Sequence, residues 1–158
     1  MNLSRRATWL VSLIAAVVVS VSPALIPSVM AGTPAVYTAS DKLAVSGYDA
    51  VAYFTEGKAT KGSAEFSLLH QGVAWRFSSA ANRAAFQAAP SKYAPQYGGH
   101  CAWAISQGYT ASADPKVWTI VDGKLYLNFN ASVGRNWEKS AADNITRADE
   151  NWPKMLAK

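Results

Sequence analysis

Val117-Trp118-Thr119-Ile120-Val121-Asp122-Gly123-Lys124-Leu125-Tyr126-Leu127-Asn128-Phe129 is the stretch that decides the fold. Two runs rich in β-branched and aromatic residues flank Asp-Gly, a pair suited to a type I′ turn, so the segment predicts a hairpin of 117–121 with 124–129. Leu125, Leu127 and Phe129 alternate with Tyr126 and Asn128. A second hairpin is predicted upstream, where Phe66–His70 and Val73–Phe77 flank Gln71-Gly72. Ser78 or Ser79 can cap the alanine-rich helix that follows, and Pro90 stops it. After the second hairpin, Ser132 can cap a short helix carrying Trp137. Asp143 can cap another with Ile145, Ala148 and Trp152 on one face, which Pro153 kinks or ends. Hairpins followed by helices predict a small single α+β domain with a C-terminal helical extension.

The N-terminus predicts export. Arg5 and Arg6 precede an apolar run from Ala7 to Val21, Pro23 and Pro27 break it, and Val29-Met30-Ala31 offers small residues before Gly32. That is the layout of a signal peptide spanning 1–31, too short an apolar run for a comfortable membrane span. Ser4-Arg5-Arg6 begins like a twin-arginine signal, while Thr8-Trp9 departs from one. The expected destination is the periplasm or the exterior, with an extended lead-in at 32–43 and one domain at 44–158. Loss of Arg5 and Arg6 lowers the net charge from +5 to +3. The remaining charges are dispersed, which excludes a nucleic-acid footprint.

Chemistry-bearing residues are few. After the leader there is one cysteine, Cys101, with His70, His100 and Met155. A methionine-rich copper site and an all-cysteine zinc site are excluded. The densest group is Tyr97-Gly98-Gly99-His100-Cys101-Ala102-Trp103, with Gly108 soon after. Ala102 to Gln107 reads as a short helix ended by Gly108. Cys101 at its N-terminus would have its thiolate form favoured by orphan amides. Such a thiol is a soft-metal ligand or a redox group. His100 could ligate beside it, although neighbours in extended chain point apart. His70 reads as a solvated turn residue. Ser46-Gly47-Tyr48-Asp49-Ala50-Val51-Ala52-Tyr53-Phe54 reads as a core strand whose Asp49 satisfies a turn or assists Cys101. The tryptophans read mainly as core, with the alternative of lining a pocket for a planar ligand.

The segments 47–54, 66–77, 86–104, 122–129 and 144–153 together resemble the YHS domain family, in its exported bacterial branch. The resemblance implies a treble-clef-like core similar to metal-binding modules that hold the metal through cysteines. At the positions of those cysteines this chain has Ser78, Asn82 and Ala52, while Gly72, Trp75, Phe77, Phe86, Pro90 and Tyr93 keep the scaffold pattern. A metal would need a new site at Cys101, in the Gly-Gly-x-Cys-Ala segment.

Three functions are therefore expected. The first is an exported binding module holding copper or another soft transition metal through Cys101, with His100, Asp49 and Tyr97 as helpers. A small ligand, a second copy of the chain or a periplasmic partner could complete that site. The second is a thiol redox enzyme using Cys101. The third is a structural or interaction domain with an inert cysteine.

Overall fold

The computed structural model describes residues 32–157. The signal-peptide reading of 1–31 lies outside them. The described chain is an α+β fold of two antiparallel hairpins and six α-helices. In chain order these are α1 (Ala52–Thr55), β1 (Ser63–His70), β2 (Val73–Phe77), α2 (Ala80–Ala88), α3 (Pro90–Tyr93), α4 (Ala102–Ser106), β3 (Asp114–Val121), β4 (Lys124–Asn128), α5 (Ala131–Glu138) and α6 (Ala141–Leu156). No helix among the described residues is long and apolar enough to cross a membrane.

Both hairpins turn where expected. Val121 pairs with Lys124 and His70 with Val73. Asp122 and Gly123 both have positive φ, 50° and 72°, as a type I′ turn requires. The strands start earlier than the alternation suggested. In β3 the register shifts between Asp114 and Trp118, and in β1 between Ser63 and Ser67. Each irregularity hides the extra residues from a period-two reading.

β4 is the central element. Leu125 and Leu127 belong to one core, with Trp75, Phe77, Phe86, Val51 and Tyr53. Tyr126 faces the other way into a second core, with Trp137, Ile105, Tyr97, Ala148 and Met155. The strand's four residues after Lys124 are all buried. In the first core, the rings of Trp75 and Phe77 lie 4.7 and 5.2 Å from that of Phe86. Each such fully buried side chain contributes roughly 1.5–3 kcal/mol by leaving water.

Helix caps differ from the expectation in two places. Ser79 caps α2 as predicted, accepting from the Asn82 amide at 3.1 Å. α5 is capped by Asn130, not Ser132, through the Val133 amide at 2.9 Å. α6 begins at Ala141, which leaves Asp143 inside the first turn and not at the cap. α6 also runs through Pro153 to Leu156. Packing of Met155 and Trp152 on the second core holds those last turns in place.

The lead-in is pinned down. The Tyr37 amide donates to the Gly98 carbonyl at 2.9 Å, and Val36 is buried in the first core. Gly98 makes this approach feasible. Its φ is +61°, and a Cβ there would sit 1.9 Å from the Ala35 carbonyl oxygen.

Candidate functional site

Asp49 is the most thoroughly bonded side chain in the structure's interior. Its segment is not the strand expected from 46–54: a 3₁₀ turn over Val45–Gly47 leads into α1. Positive φ at Ser46 and Gly47 breaks any extended run. Asp49 Oδ1 accepts from the Val51 and Ala52 amides at 2.8 and 3.3 Å. Oδ2 accepts from the Ser78 amide (2.8 Å), the Ser78 hydroxyl (2.7 Å) and Asn82 Nδ2 (2.7 Å). The turn role expected of Asp49 is therefore present, and it is extended across to the β2–α2 link and to α2. Ser78, Asn82 and Ala52, the three positions where the YHS resemblance implies cysteines, all supply donors to this one carboxylate. Both carboxylate oxygens are taken by N–H and O–H donors, and the three positions supply no thiolate for a soft metal. The implied inherited metal does not fit these residues.

Cys101 lies where the sequence placed it, as the N-cap of α4. Its side chain is only 1% exposed. The Sγ–H points at Asn128 Oδ1, 3.7 Å away. That same oxygen accepts the Trp103 amide at 3.0 Å. The orphan amide that could have stabilised a thiolate is thus taken by Asn128, and the sulfur faces a carbonyl oxygen. A helix of five residues adds little field of its own.

His100 is turned elsewhere. It is 4% exposed, with Nε2 3.0 Å from the Pro34 carbonyl oxygen and its ring between Tyr37 (5.3 Å) and Trp152 (5.5 Å). Burial pushes its pKa below the ordinary value, against the Pro34 carbonyl, which raises it. With Nε2–H donating to that carbonyl, Nδ1 is left without a partner. Tyr97 donates to Asp149 at 2.9 Å. Burial, then the Asp149 hydrogen bond, raises its pKa far above the usual phenol range. Cys101, His100 and Asp49 do not come together: no group of three or more metal-ligating side chains forms among the described residues.

What Cys101 does border is a cavity of about 260 Å³, lined by Cys101, Trp103, Ala104, Tyr109, Ala111, Phe129 and Val133. Tyr109 and Phe129 stand half-exposed at 53% and 51%. The lining is aromatic and aliphatic apart from the thiol and the Tyr109 hydroxyl. Asn128, next to the sulfur, is 1% exposed, and its Nδ2 has no hydrogen-bond partner. The amide orientation is fixed, because a flip would set its NH₂ against the Trp103 N–H. An unpaired buried amide donor costs roughly 1–3 kcal/mol.

Sequence reasoning passed over Asn128. A signal was present: asparagine is depleted in strands, and this one has the parity of Tyr126. That parity carries it into the second core. The remaining unpartnered buried polar atom among the described residues is Trp137 Nε1, in the same core. A scan against protein-family models and searches of curated proteins and of solved structures all returned no match to this chain.

Proposed function

We propose that this chain is an exported, YHS-like binding module whose ligand seats in the cavity at Cys101. The ligand is a small, largely apolar molecule carrying a soft or hydrogen-bond-accepting atom. One observation carries the reading: a thiol on the wall of an apolar cavity touches the oxygen of a buried amide whose NH₂ has no partner. Ligand sites are mostly apolar with a few placed polar groups, and this lining has that character. The soft sulfur of the thiol and the aromatic faces favour polarizable ligands.

Copper(I) belongs to this reading in a restricted form. The thiol is a suitable donor, but Asp49 is saturated, His100 is held through Nε2 by Pro34, and neither lines the cavity. A copper ion would have to bring its remaining ligands with it. The thiol-enzyme reading needs an accessible sulfur and a base. Cys101 has 1% exposure and an amide oxygen as its neighbour, so nothing specific favours that reading.

The test is calorimetric titration of the purified chain with cyclohexanone and, separately, with Cu(I) held in a competing buffer. Wild type is compared with Cys101→Ala and with the cavity-filling Val133→Phe. Saturable cyclohexanone binding that Val133→Phe abolishes supports the proposal. Cu(I) binding lost in Cys101→Ala would make the metal complex the ligand. Neither probe binding, or both binding all three proteins alike, overturns it and leaves a structural domain with an inert cysteine.

A further inference from the structure

A second groove borders the 97–100 turn at Gly98. Its volume is about 270 Å³, and its walls come from four separate parts of the chain. Ala35 and Val36 of the lead-in form one side, and Trp152 and Leu156 of α6 another. Trp75 with His70 and Gln71 of the first hairpin, and the segment from Ala94 to Gly98, complete it.

Half-buried Trp152 and the inner, 2%-exposed Trp75 therefore border the groove. Aromatic walls favour flat occupants through offset or edge-on contacts. The polar end is the hairpin turn. The His70 ring is held edge-on by Trp75 (6.1 Å, 69°) and Phe86 (5.5 Å, 86°). The Trp75 indole donates to the backbone carbonyl of His70 at 3.3 Å, not to its ring. The imidazole is thus fixed in place by packing while its nitrogens stay available. The volume falls just under the roughly 300 Å³ at which drug-sized pockets begin, which suits one or two rings. The lead-in is the third requirement. Without the Tyr37–Gly98 bond and the seating of Val36 the groove would lack a wall.

We propose that this groove binds a small planar aromatic molecule of one or two rings carrying a hydrogen-bonding edge, with its rings against Trp152 over the inner Trp75 and its edge at His70. The site is separate from the Cys101 cavity and does not depend on the function proposed for it.

The experiment is a two-dimensional NMR titration of the purified chain, read at the indole N–H signals of Trp75 and Trp152. The probes are benzimidazole, which has the edge, and indene, which has the shape without it. Saturable shifts at those two indoles with both probes, tighter for benzimidazole, are expected. His70→Phe keeps the aromatic packing and removes the nitrogens. It should weaken benzimidazole about five-fold, the worth of one hydrogen bond of about 1 kcal/mol, and leave indene unchanged. Cys101→Ala should change neither. No saturable shift at millimolar probe, or equal benzimidazole affinity in wild type and His70→Phe, overturns the proposal.

Discussion

The two buried polar centres of this molecule are built in opposite ways. Around Asp49, both carboxylate oxygens are filled by five donors, from the start of α1, from Ser78 in the link between β2 and α2, and from α2. In and beside the second core, Asn128 Nδ2, His100 Nδ1 and Trp137 Nε1 are buried without partners. A saturated centre has no valence left for a ligand and serves the fold. An unsaturated one destabilises the fold by its missing bonds, and those bonds are what a ligand can supply. The contrast supports the site proposed at Cys101 and gives Asp49 a part in the fold, although both centres hold residues expected to act together.

The largest effect should come from the saturated centre. Asp49→Ala strands the Ser78 and Asn82 donors and frees the start of α1. The expected loss is about 3–5 kcal/mol in a urea melt, since each abandoned buried donor costs roughly 1–3 kcal/mol. A loss below about 1 kcal/mol would break the comparison. Gly98→Ala should come next. The added Cβ collides with the Ala35 carbonyl at a left-handed φ, so about 2 kcal/mol and faster proteolysis between Gly32 and Thr38 are expected. Unchanged proteolysis would show that the lead-in is not held there.

Asn128→Leu sharpens the contrast from the other side. It removes the acceptor of the Trp103 amide but also the unpaired Nδ2, so the net cost should stay near 1 kcal/mol. Ligand binding at Cys101 should nevertheless weaken. A loss matching that of Asp49→Ala would erase the distinction between the centres.

The smallest effect is a pH slope. His100 in the unfolded chain titrates near 6.5, and burial lowers its pKa in the folded protein. The unfolded state therefore binds more protons. Stability is fully present above about 6.5 and is lost as pH falls toward the folded pKa, by at most about 1.4 kcal/mol per pH unit. Urea midpoints measured between pH 7.5 and 5 should show this slope in wild type and lose it in His100→Phe. Equal slopes would remove His100 from the account.

The hairpins were legible because Asp122-Gly123 and Gln71-Gly72 state their turns locally, and α4 because Gly108 ends it. Cys101 was found by being alone. The partnering of its neighbours was not legible, because it is set by tertiary approach. Asp49 meets Ser78 and Asn82 across about thirty residues of chain, and His100 meets Pro34 across more than sixty. Neither distance leaves a periodic trace. The apolar content of 46–54 matches a strand, while its φ values are set by the turn at Ser46-Gly47. Asn128 was missed because β4 is buried on both faces, so the alternation that normally separates core from solvent separates two cores.

The most direct test reads the side-chain NH₂ signals of Asn128 by NMR while cyclohexanone is added to the wild-type chain. The account predicts a saturable downfield shift as Nδ2 gains the ketone oxygen, absent when cyclohexane is the probe. A cyclohexanone complex that leaves the Asn128 amide unmoved, or no complex at all, would contradict it.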